Sequence, residues 1–475
     1  MDTVNQPMYE WETINWAKAK RSVFKLQKRI YQASERGDVK AVHRLQRLLT
    51  HSWYGKILAV RKVTQDNQGN NKSGADGVKR LRNYQKIKLA QELRFNDASQ
   101  PKNRVRIPKP GKEEKRPLGI PTMKERAKQA LMKLALEPEW EAKFEPNSYG
   151  FRPRWSARDA IATIFNDIAQ KPKYVLDADI EKCSDPINHS KLLEKLQTSS
   201  TFRRQVKAWL KSGVMDGNNL FLTEEGTLQD GVISPLLANI ALHGLEEILT
   251  NKFSRRIGKT SQKLAISFVR YANDFVIMDE DLEVILEAKT VIEEWLSEMG
   301  ITASKTQITH TFKSHEGNTG FDFLGFNIRQ YPCSDKQSGS VGGTEGKRGY
   351  KTLIKPSKEA IQKHLRKIDD LLERNHTSSQ EQVINALNPL IREWAAYYST
   401  VTSKETFNKI DSIIFHKLLG WAKSRRGRGQ NNTEVVSKYW GVNRGLGWIF
   451  CTQDNKSILE KHQKSKIKTA ATLNT

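Results

Sequence analysis

Asp177 and Asp179 stand two residues apart in the apolar run YVLDADI, from Tyr174 to Ile180. On an extended strand alternate side chains share a face, so both carboxylates point the same way. Further along, Tyr271-Ala272-Asn273-Asp274 sits between the apolar runs AISFVR and FVIM. That is a strand, a tight turn and a second strand, with an acid at the tip. Carboxylates on two adjacent strands can hold a pair of Mg²⁺ ions. Two such ions about 3.5–4 Å apart activate the attacking oxygen and stabilise the leaving one in phosphoryl transfer. Acids at strand ends are more often turn or surface residues, so the pattern needs support from the segments around it.

Those segments alternate in type. Residues 13–63 read as helical, and Lys18, Lys20, Arg21, Lys25, Lys28 and Arg29 among Val23, Leu26, Ile30 and Tyr31 make an amphipathic basic helix. Thr64 to Gly77 is polar and Gly/Asn-rich, which predicts a loop. From Arg104 to Met123 two short strands are expected around a turn at Pro110-Gly111, then a helix from Lys124 to about Leu136. Strands interleaved with helices predict an α+β or α/β core. After Tyr350 the pattern becomes mainly helical. Val383, Leu387, Leu390, Ile391, Trp394 and Tyr398 follow helical spacing, and Phe407, Ile410, Ile414, Leu418 and Trp421 form a second core stripe. Asn388-Pro389 reads as a helix restart, with Asn as N-cap and Pro in first position. From Ser424 onward the chain is basic, and no internal repeat stands out.

Composition sets outer limits. The chain has 475 residues, enough for about two to four domains. Its formal net charge of +26 calls for a polyanionic partner, nucleic acid or a membrane surface. No run of ~18 apolar residues predicts a membrane span. The start of the chain lacks the apolar stretch of a signal peptide, so a cytoplasmic location is expected. Cys183, Cys333 and Cys451 form no C-x-x-C pair, which argues against a disulfide framework or a zinc module.

The ordered segments RIPKPGKEEKRPLGIPT, PNSYGFRP, GTLQDGVISPLLANI, YANDF and GFDFLGFNI resemble the motif series of the group II intron reverse transcriptases, also called maturases. The stretch INALNPLIREWAAYYSTVTSKETFNKIDSIIFHKLLGWAKSRR resembles the maturase, or X, domain of that family, and LQRLLTHSWYGKILAVRKVT fits its N-terminal part. The resemblance implies an α+β right-hand polymerase, with fingers and an antiparallel palm followed by a helical thumb and X domain. The expected boundaries are a basic helical extension over 1–73, fingers and palm over 74–345, thumb and X domain over 346–425, and a basic nucleic-acid-binding segment over 426–475. By the same resemblance Asp179 and Asp274 are the metal-binding aspartates. Lys109, Arg116, Ser184, Gln229, Asp230, Gly231 and Lys305 fall in the nucleotide- and template-binding segments. Lys18, Arg21, Lys25, Arg392, Lys404, Lys417, Arg425 and Arg426 are expected to contact RNA.

The chain departs from that pattern on one surface. The family's catalytic hairpin carries two successive aspartates, and here the first is Asn273. Asn offers one neutral oxygen and removes a full charge. Ser184 stands where the family has Phe, and Leu228-Gln229-Asp230-Gly231 replaces a Pro-Gln-Gly-Gly core. Asp230 adds a side chain and a negative charge beside phosphates, where glycine lets backbone approach closely. The expected function is therefore a maturase that binds group II intron RNA and assists its splicing, with a crippled polymerase site and weakened Mg²⁺ binding. The alternative is a working RNA-directed DNA polymerase that also engages target DNA. No endonuclease module with paired cysteines is expected, and the working form is expected to be a cytoplasmic ribonucleoprotein.

Overall fold

Helices at the start of the chain begin at polar caps and bury one stripe each. Asn15, Asp38 and Ser52 accept backbone N–H bonds at the heads of helices Trp16–Glu35, Val39–His51 and Trp53–Arg61. Their buried stripes include Val23 and Ile30, Leu45 and Leu49, and Ile57 and Val60. The computed structural model describes residues 10–66, 73–108, 115–180, 187–212, 214–216, 219–221, 231–257, 261–264, 266–334, 349–425, 431–443 and 447–465. The described chain divides into two compact units. The first comprises residues 1–160, 178–277 and 283–306, and the second 161–177, 278–282 and 307–475.

In the first unit the N-terminal helices pack on helix Met123–Glu141, which is buried on most of its surface. Gln46 donates to Glu139 at 2.6 Å and Ser34 donates to the Glu139 carbonyl at 2.9 Å, so burial of these polar groups is compensated. Glu125 within the same helix pairs with Lys128 at 2.9 Å and accepts from the Trp209 indole at 2.7 Å. Thr64 to Asp66, expected to open a loop, are helical instead, and residues 67–72 of that expected loop lie outside the described residues. Lys62–Asp66 forms a π-helical turn, tied by the Thr64 hydroxyl donating to the Val60 carbonyl at 2.8 Å. Strands Lys102–Pro108 and Lys115–Ile120 pair antiparallel as expected, and their turn at Pro110-Gly111 lies outside the described residues. Strand Val214–Asp216 adds to them in parallel, followed by Asn219–Phe221.

The central sheet has the order Ala303–His310, Tyr174–Ile180, Asp274–Asp279, Ser267–Tyr271. The two acid-bearing strands are therefore neighbours. Residue alternation along Tyr174–Ile180 leaves Asp177 and Asp179 on the less buried face, with Ala178 and Ile180 buried.

In the second unit, strands Phe321–Phe323 and Phe326–Pro332 form a hairpin that Tyr350–Pro356 extends. Its two-residue turn, Leu324-Gly325, has φ of 50° and 80°, the left-handed pair that tight hairpins need. The turn docks on helix Gln380–Tyr398. The Tyr397 hydroxyl donates to the Leu324 carbonyl at 3.0 Å, and the Tyr398 hydroxyl to the Gly325 carbonyl at 3.1 Å. A side chain at Gly325 would meet the Tyr398 hydroxyl at 2.8 Å.

Helices Lys358–Arg374, Gln380–Tyr398 and Lys404–Lys423 then share one apolar core, in which both stripes expected from the sequence take part. One reading needs correction. Gln380–Tyr398 is one helix with Pro389 inside it, so Asn388-Pro389 does not restart a helix. Asn388 is instead used outward: its amide donates to the Ile458 carbonyl at 2.9 Å and accepts from the Glu460 N–H at 2.8 Å. The basic segment after Arg425 is folded where described. Helix Asn432–Tyr439 and the hairpin Trp440–Asn443 with Gly447–Phe450 bury Val435, Tyr439, Trp440, Phe450 and Leu459 in the same core. Charge counting missed these apolar residues because they are sparse among lysines and arginines.

Candidate functional site

The strand ends bring Asp179, Asn273 and Asp274 together in the first unit. The Ile180 N–H donates to the Asn273 carbonyl at 3.0 Å, which sets the register between strand and turn. The Asn273 side-chain amide donates to Asp179 Oδ1 at 2.6 Å. Burial, and then the nearby Asp179 charge, push the Asp274 carboxyl up to about 6. The centre thus holds two carboxylates within electrostatic reach of one another and an amide committed to one of them. Hard divalent cations take oxygen donors of this kind. No cluster of three or more His, Cys, Asp or Glu able to hold a metal occurs among the described residues.

The turn is held from behind by residues the sequence reading passed over. Ala272 has φ of 60°, a left-handed conformation that is strained for any residue with a Cβ. Its carbonyl accepts from the fully buried Arg270 guanidinium at 2.9 Å. The same guanidinium donates to Asn239 Oδ1 at 3.0 Å and to the Ser148 hydroxyl at 2.6 Å. Asn239 in turn donates to the Gly150 carbonyl at 2.8 Å. The Arg270 carbonyl accepts from Tyr149 N–H, and its N–H donates to the Asn147 carbonyl, both at 2.9 Å. A Cβ at Gly150 would fall 2.1 Å from the Ala272 nitrogen, so only glycine allows this approach. The signal was in the motifs themselves: PNSYGFRP, LLANI and RYANDF each supply one part of this brace.

Other expected site residues are placed as follows. Gly231 is tied to helix Met123–Glu141, because its neighbour's N–H, from Val232, donates to Gln129 Oε1 at 2.8 Å. A side chain at Gly231 would meet Gln129 Oε1 at 2.7 Å. Lys305 lies in strand Ala303–His310 and Arg116 in strand Lys115–Ile120, with side chains outside the described set. Lys109, Ser184, Gln229, Asp230 and Arg426 lie outside the described residues.

Lys18, Arg21 and Lys25 are exposed along one face of helix Trp16–Glu35, beside the exposed ring of Phe24. Lys404 is exposed at the head of its helix. The remaining expected RNA contacts are already engaged. Arg392 pairs with Glu460, and Lys417 with Asp369 at 2.6 Å. Arg425 donates to the His376 carbonyl at 2.9 Å and lies 3.9 Å over the Trp421 ring. Cys333 and Cys451 are free thiols, and Cys183 lies outside the described residues. Among the described residues no helix is long and apolar enough to cross a membrane.

Three family models match the chain in order. They are the N-terminal domain of reverse transcriptase over residues 11–93, the reverse transcriptase (RNA-dependent DNA polymerase) over 107–328, and the group II intron maturase-specific domain over 361–440. Fold and matches together define a reverse transcriptase domain followed by a helical, maturase-type region. The chain belongs to the group II intron-encoded reverse transcriptase and maturase family. Protein YkfC of Escherichia coli K12 is 29% identical over 327 residues, covering 60% of this chain and 83% of YkfC. Group II intron-encoded protein LtrA of Lactococcus lactis subsp. cremoris is 29% identical over 301 residues, 51% of this chain and 49% of LtrA. Maturase-like protein 1 of Euglena gracilis is 26% identical over 398 residues, 82% of this chain and 77% of that protein. The alignment with LtrA thus spans about half of that relative's length.

Proposed function

We propose that this chain binds the RNA of a group II intron and assists its splicing, on a reverse transcriptase scaffold whose polymerase site is degenerate. Residues 1–73 and 426–475 serve as basic RNA-binding segments, 74–345 as fingers and palm, and 346–425 as thumb and X domain. The observation that carries the reading is the Asn273 amide bonded to Asp179, where the family resemblance expects a second aspartate of the hairpin. A polymerase centre that takes two divalent ions must balance about four positive charges with carboxylates and substrate phosphates. Here Asp179 and Asp274 supply two negative charges at the strand ends. This donor set fits one Mg²⁺, held by the two carboxylates, better than it fits a pair. When bound, the ions supply activation of the attacking oxygen and stabilisation of the leaving one.

The chain's own part in splicing is electrostatic. Exposed Lys18, Arg21 and Lys25 can neutralise phosphates and let crowded RNA helices approach. Lys417 and Arg392 sit in exposed ion pairs, which contribute little to stability and exchange readily for a phosphate partner. The test is intron splicing at low Mg²⁺ with and without protein. Faster splicing with protein supports the reading, and equal splicing overturns it.

A second reading, an active RNA-directed DNA polymerase serving intron mobility and engaging target DNA, draws on one observation. Asp179 and Asp274 lie at the ends of neighbouring strands, and after burial the charge of Asp179 is what raises the Asp274 carboxyl, so both are within electrostatic reach of one cation. Primer extension on an RNA template separates the two.

A further inference from the structure

A cleft of about 780 Å³ opens in the first unit among helix Val39–His51, the segment Leu93–Phe95 and the start of helix Ser200–Lys211. Arg44, Arg47, Lys56 and Arg94 line it together with two imidazoles, and none of its lining residues is acidic. None of the four cations pairs with a carboxylate among the described residues. Lys56 is held below the ordinary lysine value, by burial first and then by the charge of Arg94. Like charges gathered without counter-charge repel, and an anion between them removes the repulsion.

Donors converge on the same space. Ser199 caps helix Ser200–Lys211 by position but makes no side-chain cap bond, and Ser199, Ser200 and Thr201 all line the cleft. The first-turn amides of a 12-residue helix lack intrahelical partners and favour negative charge. Two buried side-chain atoms on the lining residues also lack partners. They are His43 Nε2 and Oε1 of Gln46, a residue only 1% exposed. The Gln46 amide nitrogen is committed to Glu139, so Oε1 is an acceptor left over for a ligand hydroxyl. The lining also includes apolar side chains: Leu93, Leu131, and the edge-to-face pair Phe95 and Phe202 at 5.5 Å. A bare inorganic anion makes no use of such side chains. Clefts of roughly 300–1,000 Å³ enclose small organic ligands.

We propose that this cleft is a binding site for a phosphate monoester carried on a nucleoside, either the 5′-terminal nucleotide of an RNA strand or a free nucleoside monophosphate. The cations and helix amides take the dianionic phosphate, Gln46 takes a ribose hydroxyl, and the aromatic pair takes the base. The site is separate from the strand-end carboxylates and stands whether or not the splicing reading does.

The test uses the full chain, with 5′-AMP, adenosine and inorganic phosphate as probes in calorimetry at matched ionic strength. The expected order is 5′-AMP tightest, phosphate weaker and adenosine weakest, with 5′-AMP about tenfold weaker in Lys56→Gln. Arg94→Gln, on an exposed side chain, repeats the loss if Lys56→Gln does not fold. Lys409→Gln, a surface cation paired with Glu405, leaves binding unchanged. Competition with short RNA identifies the source. Displacement of 5′-AMP by 5′-phosphorylated but not 5′-hydroxyl RNA supports a strand end, and no displacement by either supports a free nucleotide. Equal weak binding of all probes, insensitive to both substitutions, overturns the proposal. Intron RNA binding measured on the same preparations keeps the two claims apart: intron bound without 5′-AMP sinks only this site, and 5′-AMP bound without intron sinks only the splicing reading.

Discussion

Two knots of polar side chains, one in each unit, are closed to different degrees. At the strand ends, Asp179 and Asp274 stand close to one amide, which donates to Asp179, and burial, then the Asp179 charge, lifts the Asp274 carboxyl to about 6. Around His462, in the second unit, the charge is answered on the spot. Asp411 accepts from the His462 ring at 2.7 Å and from the backbone N–H groups of His462 and Gln463 at 3.0 and 3.1 Å. His462 meets His364 at 2.9 Å, and His364 stacks on Trp394 at 4.7 Å between ring centroids. The first knot has an electrostatic deficit that a cation would fill. The second ties the C-terminal segment to the helices that precede it. On the proposed reading, one would receive a cation from outside, and the other holds the chain to itself.

The largest effect is expected at the brace behind the first knot. Arg270→Met removes donors to Ala272, Asn239 and Ser148, all of them buried contacts. Unfolding by urea should show a loss of about 3–5 kcal/mol, because the acceptors are left unpaired. A loss below about 1 kcal/mol would mean the turn is not held this way.

The two knots should respond to pH with opposite sign. Burial, and then His462, hold the His364 imidazole down near 3. A buried neutral histidine favours the folded state above its unfolded value of about 6.5, and that stability drains away as pH falls below it. From pH 7 to pH 5 the second unit should lose about 2 kcal/mol, absent in His364→Gln. Asp274 behaves oppositely. Its raised value penalises the folded state as pH climbs from about 4 to 6 and fully above that. Asp274→Asn should therefore stabilise the first unit at pH 7 by about 1–2 kcal/mol after allowance for partial exposure, and by nothing near pH 3.5. Added Mg²⁺ should stabilise the parent and not this variant. Native-state hydrogen exchange, which resolves the units, reads both; slopes of the same sign would break the comparison.

How far the sequence carried each knot differs for a physical reason. Asp179 and Asp274 were legible because a strand, a tight turn and a strand with acids at the ends have a local signature. Arg270 was not: it sits in an apolar run as one arginine among a net charge of +26, and only its partners from three separate motifs give it a purpose. Asn388-Pro389 was misread because capping preferences are local. The long-range bonds of Asn388 to Ile458 and Glu460 settle its use, and the packed core carries the helix through Pro389. The short hairpin Trp440–Asn443 with Gly447–Phe450 escaped for a similar reason, since its burial comes from helices far earlier in the chain.

The smallest effect in energy is at the surface. Replacing Lys18, Arg21 and Lys25 with Gln should leave stability unchanged and weaken intron binding. The slope of log affinity against log salt should fall by about 2–3. An unchanged slope would assign that face to solvent.

Primer extension on an RNA template, with Mg²⁺ or Mn²⁺, tests the central claim most directly. The unaltered chain should make little or no DNA. Asn273→Asp alone should recover little, because metal, sugar-ranking and template-facing positions act as a unit. Asn273→Asp with Ser184→Phe and Asp230→Gly should recover extension. Robust synthesis by the unaltered chain would contradict the account and make Asp179 and Asp274 a sufficient polymerase centre.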